Sequence, residues 1–375
     1  MAYNLLSFSG VMGVIGSVLL AILILLVMIT VHEFGHYVAG KIFKFKINEF
    51  AIGFGPRIFK HTKKNGEVFS VRCLPLGGFC AFEGEDTDAP HPDAFNNKKP
   101  WQRIIVLFAG AFMNYLLALL LIMVSFFSYG QLLLMTYEIE PSPEPVYNVY
   151  ALHDRDVIIA CEGKNVYLTS DLMERLDGKK QGDKVTFTVS RAEGDARKVV
   201  DVEVMLRSDA DFKNLTDTTA LWRALGVATR ETDGGEQFLI YSVAYKDFGF
   251  FDTVGRSFTY SFRIGGTIFK VLGQLLTGDL GLEAFGGPVS TIKLTSEIAS
   301  RGVQQFLEIA AFIGVNLAVF NLLPIPALDG SKIVFTVIEW IRGKPVNRKV
   351  EAVIHAVGFV LLLGFAVLVD LLQLF

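Results

Sequence analysis

Four stretches of this 375-residue chain are apolar and long enough to cross a lipid bilayer, and they constrain the fold more than any other feature. A transmembrane helix needs about 20 consecutive, mostly apolar residues. The first stretch, residues 11–31, carries no charged side chain, and a helix is predicted over about residues 11–36. The other predicted spans are residues 104–127, 306–323 and 352–375. The chain is therefore predicted to be an α-helical polytopic membrane protein that is embedded in a lipid bilayer.

The overall composition supports this class and excludes others. Hydrophobic residues make up 51% of the chain and charged residues only 19%, with a mean hydropathy of +0.43 that soluble domains rarely reach. The formal net charge is -3, so there is no basic excess to contact phosphates, and no nucleic-acid partner is expected. Three cysteines are too few for a disulfide framework.

Lysine and arginine predict the orientation of the spans, because cytoplasmic loops near span ends collect them. Residues 41–103 and 324–351 are rich in both, whereas the two ends of the chain contain neither. We predict that these two segments are cytoplasmic. Both termini and residues 128–305 are then extracytoplasmic.

A further apolar stretch, residues 254–276, is predicted to lie in the membrane interface as an amphipathic helix. Arg256, Arg263 and Lys270 recur every seven residues and place charge along one helical face. A charged side chain at the centre of a span costs about 2.5–3.5 kcal/mol, which disfavours a crossing. With this stretch outside the bilayer core, the first and third spans run in the same direction.

A metal-binding pattern follows the first apolar run, in the sequence His32-Glu33-Phe34-Gly35-His36. Two histidines four residues apart on a helix can reach one ion, and Glu33 lies beside them as a general base. Ionisable groups at the rim of a span usually have a functional role. The alternative is that these residues only cap a helix at the membrane surface.

A catalytic zinc ion normally takes three protein ligands, and the third is predicted far along the chain from the two histidines. Residues 321–330 read Asn-Leu-Leu-Pro-Ile-Pro-Ala-Leu-Asp-Gly, and two prolines end the third span shortly before Asp329. Because the first and third spans run the same way, His32 and Asp329 are expected at similar depth near the cytoplasmic surface. The alternative is a solvated aspartate in an ordinary Pro-Gly turn.

Five motifs in order resemble the site-2 protease family of intramembrane zinc proteases, in its bacterial regulator-of-sigma-E (RseP-type) branch. They are His32 to His36, Gly53-Phe54-Gly55-Pro56 as a turn, Leu74-Pro75-Leu76-Gly77-Gly78-Phe79, Gly286-Gly287-Pro288, and Asn321 to Gly330. The resemblance implies a Zn²⁺ ion held by His32, His36 and Asp329, with Glu33 as the catalytic base. It also implies that Asn321 helps to hold the substrate backbone or the developing oxyanion.

The same resemblance implies an activity and a location. The chain is expected to cleave single-span membrane proteins, such as anti-sigma factors or signal-peptide remnants, in or near their transmembrane segment. An upstream site-1 protease is expected to cut the same substrate first. The expected location is a bacterial inner membrane, with the active site near the cytoplasmic side.

A β-hairpin is predicted within residues 66–82, because apolar residues cluster there around Pro75 and the pair Gly77-Gly78. The resemblance implies that Leu74, Pro75, Leu76, Gly77 and Gly78 dip into the membrane and pair with substrate by strand addition. A hairpin on the cytoplasmic surface is the alternative.

Residues 141–207 are predicted to form a small α/β domain like a PDZ domain, with one helix at residues 170–176. The segment has no convincing carboxylate-binding loop, so a spacer or size filter remains an alternative to peptide capture. Residues 208–300 are predicted to add strands and the amphipathic helix. The N-terminal and C-terminal membrane parts are then residues 1–130, which include the hairpin region 41–100, and residues 301–375.

Two rival functions share these residues. A metal transporter would use the same His and Asp side chains, but the paired inverted repeats expected of a transporter are not evident in the sequence. A membrane-tethered PDZ scaffold with a structural zinc would need a fourth protein ligand, and none is evident.

Overall fold

The computed structural model describes residues 8–85, 90–194, 196–212, 218–232, 235–281 and 286–374. It contains two compact units, the first formed by residues 1–124 and 282–375 and the second by residues 125–281. The elements in chain order are α1 (Phe8–Ile42), β1 (Ile47–Thr62), β2 (Val68–Phe82), a 3₁₀ turn (Phe95–Asn97), α2 (Pro100–Ser128), β3 (Gln131–Thr136), α3 (Pro145–Val149), β4 (Val157–Cys161), β5 (Lys164–Asn165), α4 (Thr169–Leu176), β6 (Lys184–Glu193), β7 (Ala196–Met205), α5 (Thr218–Ala224), β8 (Thr229–Thr232), β9 (Gly235–Phe238), β10 (Ile240–Tyr245), α6 (Phe250–Thr277), α7 (Pro288–Ala299), α8 (Val303–Leu322), α9 (Asp329–Arg342) and α10 (Arg348–Leu374).

Four of the described helices, α1, α2, α8 and α10, are long and apolar enough to cross a membrane. They coincide with the four predicted spans, and α6 is not among them. The first helix continues to Ile42, beyond the predicted end near residue 36. The His32–His36 motif therefore lies inside α1, with helical turns before and after it that hold its backbone in place.

The helices of the first unit approach each other closely at glycines. A Cβ atom on Gly35 of α1 would lie 2.3 Å from the carbonyl oxygen of Ala109 in α2, so no larger residue fits there. A Cβ atom on Gly314 of α8 would lie 3.0 Å from Ala118 and 3.2 Å from Met28. Small residues at such crossings let helix backbones pack tightly in lipid.

The helix α8 runs in the same direction as α1. Gly314 lies beside Met28, and Asn321, seven residues later in α8, lies beside His32, four residues later in α1. Contacts that advance together along both helices require parallel axes. This is the relative direction that the predicted topology required.

The strands β1 and β2 form a sheet that differs from the predicted hairpin. Residues 49–52 of β1 pair with residues 78–81 of β2 on one side and with residues 68–71 of β2 on the other. The second half of β1, residues 57–62, pairs with residues 68–72 of β2. Both strands bend sharply, at Gly53 (φ +84°) and at Gly77 (φ +113°), in conformations that favour glycine.

Two sequence predictions are therefore corrected in this sheet. The chain reverses between Thr62 and Val68, and residues 68–82 form one bent strand in place of a self-contained hairpin. The Gly53-Phe54-Gly55-Pro56 segment lies inside β1 and is not a separate turn. Glycines often mark chain reversals, but here the positive φ angles of Gly53 and Gly77 bend strands that keep their pairing on both sides of the bend.

Aromatic packing fixes this sheet against the C-terminal end of α1. Phe45, Phe82 and Phe95 form one cluster, with ring centroids 5.4 to 5.7 Å apart. Val106 and Leu107 of α2 belong to the same buried core. A Cβ atom on Gly40 would lie 2.6 Å from the Phe82 ring, so the edge of β2 lies directly against α1.

The second unit is built on a sheet with strand order β10-β3-β4-β6-β7, to which β5 adds beside β4. Buried side chains from β4, β6, α4 and α5 form its core, among them Ile158, Leu172, Phe187 and Leu221. The helix predicted at residues 170–176 is present as α4. The sheet also includes β3, which begins at Gln131, ahead of the predicted domain start at residue 141.

The charged face of α6 packs onto the second unit. Arg256 donates to Oε1 of Gln131 at 2.9 Å and to Oδ1 of Asn165 at 3.0 Å, and Arg263 lies 3.3 Å from Glu174. Lys270 forms an ion pair with Glu174. The large apolar side chains that α6 exposes include Phe251, Phe258, Phe262, Phe269 and Leu276. The periodic charges therefore bind protein, and the apolar stripe is the face left available for the predicted membrane interface.

A buried carboxylate joins the end of α1 to the turn between β1 and β2. Glu67 is only 3% exposed, and it accepts hydrogen bonds from Lys41, from Nζ of Lys63 at 2.9 Å and from the hydroxyl of Tyr37 at 2.9 Å. Burial opposes its ionisation, but these donors lower the pKa of Glu67 to about 2.

We expect Glu67→Gln to destabilise the protein by about 1–3 kcal/mol at pH 7, because charged hydrogen bonds to a buried acceptor are lost. A carboxylate whose pKa is lower in the folded protein than in the unfolded protein stabilises the fold at pH values above the unfolded-state pKa. This stabilisation is lost as the pH falls towards the folded-state pKa. The difference in melting temperature between wild type and variant should therefore shrink from pH 5 towards about 2. A difference that is constant over this range would contradict the assignment.

Candidate metal centre

The two histidines of the motif lie one turn apart on the buried face of α1. Both residues are 7% exposed, and their Nε2 atoms lie 3.1 Å apart. The rings meet edge to face, with centroids 4.7 Å apart. The spacing of four residues on a helix places these two nitrogen atoms next to each other.

Asp329 reaches the same point from the start of α9. Its Oδ2 atom lies 2.9 Å from Nε2 of His32 and 3.3 Å from Nε2 of His36. The chain can turn so tightly here because Gly330 has no side chain: a Cβ atom on it would lie 2.2 Å from the carbonyl oxygen of Leu323. The prolines at 324 and 326 separate α8 from α9 and let the carboxylate project back towards α1.

Neighbouring groups orient both imidazole rings. Nδ1 of His36 donates to the carbonyl oxygen of Val106 in α2 at 2.8 Å. The side-chain nitrogen Nδ2 of Asn321 lies 3.3 Å from Nδ1 of His32, and as an amide nitrogen it can only donate to that ring nitrogen. Because Nδ1 of His36 donates to Val106, its Nε2 keeps a lone pair that can bind a metal ion, and hydrogen bonds of this kind prepare metal ligands.

The residues fit a zinc ion. The candidate ligand atoms of His32, His36 and Asp329 all lie within 4.8 Å of one another. The three distances of 2.9, 3.1 and 3.3 Å are close to the separation of about 3.3 Å expected for ligands of tetrahedral zinc. Burial opposes ionisation of Asp329, but His36 and His32 hold its pKa well below the usual range, so it is a carboxylate at neutral pH.

Three protein ligands are the number that a catalytic zinc takes, which leaves a position for water. Glu33 lies beside them in a cavity of about 330 Å³ that is also lined by His36, Cys80 and Asp329. Its Oε2 atom accepts a hydrogen bond from the backbone N–H of Cys80 in β2 at 2.9 Å. The sheet therefore fixes the position of the predicted base.

Comparison with known proteins agrees with this geometry. A sequence model of peptidase family M50 matches residues 20–365. The chain belongs to peptidase family M50, the site-2 protease family. The family resemblance that the five motifs indicated is confirmed.

Several bacterial relatives of this M50 protease align over nearly their full length, and each is provisionally named a zinc metalloprotease. One from Clostridium perfringens is 31% identical, with 94% of this chain and 97% of the relative covered. One from Nostoc sp. is 30% identical, covering 94% of each chain. One from Agrobacterium fabrum is 28% identical, covering 92% of each chain. Family and names together support a membrane-bound zinc metalloprotease.

The other predicted site residues of the M50 protease lie at different distances from the ligands. Asn321 contacts His32, as described above. A Cβ atom on Gly78 would lie 3.6 Å from Cγ of Glu33, so this part of β2 reaches the site. Leu74 and Pro75 lie at the bend of β2, where Leu74 pairs with Phe54, and Gly77 forms the turn back towards the site. The backbone of Leu76 continues β2, and its side chain lies outside the described residues.

Sequence reasoning missed three residues of α2 that border the site. Val106, Gly110 and Asn114 are spaced by four, so they lie on one face of the helix. Val106 orients His36, and a Cβ atom on Gly110 would lie 2.5 Å from Nε2 of His36 and 2.8 Å from Cε1 of His32. The spacing of a glycine and an asparagine within an apolar span was the available signal.

We expect Gly110→Ala to lower zinc occupancy, because the added methyl group overlaps both imidazoles. Purified variant and wild type should be compared by metal analysis and by melting temperature. Gly16→Ala in α1 is the matched control, since a Cβ atom there has no neighbour within 4 Å among the described residues. Full zinc occupancy in Gly110→Ala would show that α2 does not limit the space around the ligands.

Proposed function

We propose that this M50 protease is an intramembrane endopeptidase that hydrolyses peptide bonds in or near the transmembrane segment of single-span proteins. The observation that carries this proposal is the convergence of His32, His36 and Asp329 beside Glu33 at one apolar helix. A metal centre inside a helix of spanning length would act on substrates that enter from the membrane.

The residues support hydrolysis by a water molecule. A zinc ion held by His32, His36 and Asp329 would make the site's water more acidic and polarise the scissile carbonyl. Glu33 would accept the proton of the attacking water and deliver it to the leaving amine. The hydrogen bond from Cys80 holds this carboxylate at the cavity while the proton moves.

Cleavage of a helical substrate requires an unwound segment, because a helix keeps its carbonyl groups in internal hydrogen bonds. Residues 78–82 form an edge of the β1–β2 sheet, and Phe79, Cys80, Ala81 and Phe82 line the cavity with Glu33. We propose that substrate pairs with this edge by strand addition. The bend at residues 74–77 would then guide the substrate towards the edge.

The substrate class and setting follow from the family resemblance. We propose anti-sigma factors or signal-peptide remnants as substrates, a bacterial inner membrane as the location, and an upstream site-1 protease as a partner. The site would lie near the cytoplasmic side, with both termini and residues 128–305 extracytoplasmic. A role of the PDZ-like domain, residues 141–207, as peptide binder or size filter belongs to the same proposal.

Two substitutions test the proposal against a metal-binding protein without proteolysis. Glu33→Gln should keep about one zinc per chain and abolish cleavage of a single-span test substrate, because only the base is lost. Asp329→Ala should lose zinc, because a ligand is removed. Metal analysis and a gel-based cleavage assay in detergent give both readouts. Cleavage by Glu33→Gln at the wild-type rate would disprove the proposed mechanism.

Strand addition predicts where a trapped substrate lies. In the Glu33→Gln background, a photo-crosslinking residue at Ala81 should capture the substrate, because Ala81 lines the cavity at one sheet edge. The same residue at Phe59, on the opposite edge of the sheet, is the matched control and should not. Equal capture at the two positions would argue against pairing at residues 78–82.

A further inference from the structure

Asn114 is a buried polar residue for which the site so far has no use. It lies within α2, its side chain is 0% exposed, and neither carboxamide atom has a hydrogen-bond partner among the described residues. Buried polar atoms without partners are rare in folded proteins because they cost stability. Inside a spanning helix lipid offers no replacement partner, so such a residue indicates a functional site.

The position of Asn114 indicates which site it serves. It lies one turn beyond Gly110, where an added Cβ atom would overlap both imidazoles. It lies two turns beyond Val106, whose carbonyl oxygen orients His36. It lines a cavity of about 290 Å³ together with His32, Glu33, Asn321 and Asp329. Asn114, with its buried and unpaired carboxamide, therefore lies in the wall of the cavity in which the scissile peptide would lie.

Asn321 borders the same cavity and also contacts a candidate metal ligand. Its carboxamide lies 3.3 Å from Nδ1 of His32, so it is engaged in holding a metal ligand. The two asparagines face the same cavity from different helices, α8 and α2. The one without a partner is Asn114.

We propose that the Asn114 carboxamide hydrogen-bonds the substrate main chain beside the scissile bond. A peptide group has one donor and one acceptor, and a carboxamide supplies the matching acceptor and donors. An unwound substrate in a water-poor site needs such partners, because its own helical hydrogen bonds are broken. This inference rests on the proposed proteolysis and assigns a substrate-binding residue to it.

Substitution of Asn114 separates this role from a structural one. Asn114→Leu has similar volume and no polar atoms, so we expect full zinc content and an equal or higher melting temperature, since an unsatisfied group is removed. Its kcat/KM for a single-span test peptide should fall by about 10- to 100-fold. Asn114→Ala should show the same loss. Asn321→Ala should instead lower zinc content, because it releases His32.

Binding can be measured without turnover. In the Glu33→Gln background, fluorescence anisotropy of a labelled leucine-rich single-span peptide with two central glycines gives Kd. Adding Asn114→Leu should raise this Kd by about 10-fold, a loss typical of one hydrogen bond to a peptide. Leu116→Ala, on the exposed side of α2, is the control and should leave Kd unchanged.

The outcomes distinguish the two proposals. If wild type cleaves the peptide and both Asn114 variants match it in kcat/KM and Kd, the substrate-binding role is wrong while proteolysis stands. Loss of zinc or a lower melting temperature in both variants would also overturn it, by showing that Asn114 is structural. If wild type binds the peptide through Asn114 but never cleaves it, the proteolytic function fails and the binding role survives.

Discussion

The structure depends on the contact between α1 and α2, where Gly35 and Gly110 let two spanning helices approach without side chains between them. Any Cβ atom at either position would overlap backbone or imidazole atoms. This proximity lets the carbonyl oxygen of Val106 orient His36 and leaves room for Asp329 to reach both histidines. A polar site inside apolar helices needs such partners, because lipid supplies none.

The second constraint is the sheet of β1 and β2, which links the membrane helices to the catalytic base. Its aromatic core fixes it against α1 and α2, and its edge strand holds Glu33 through Cys80. The same edge borders the cavity, so one element positions the base and offers hydrogen-bonding groups to an extended substrate. Glu67 ties the turn of this sheet to the end of α1.

The second unit uses charge in a way that helical periodicity alone did not show. Arg256, Arg263 and Lys270 were predicted to line one face of an amphipathic helix. In the structure they bind Gln131, Asn165, Asp171 and Glu174 within the unit. The sequence indicates that a charged face exists, whereas only packing shows what it contacts. The phenylalanine stripe of α6 then becomes the face available to an apolar environment.

The sequence by itself determined the four spanning helices, the metal-binding motif and the distant aspartate, because hydropathy and the spacing of ligands on a helix are local properties. Only the tertiary structure decided that β1 and β2 bend into one folded sheet, that Asn321 contacts His32, and that Asn114 is buried beside the cavity with no hydrogen-bond partner among the described residues. These features depend on which side chains meet across separate elements. No local pattern encodes that, because the partner of a polar group is set by the packing of the whole unit.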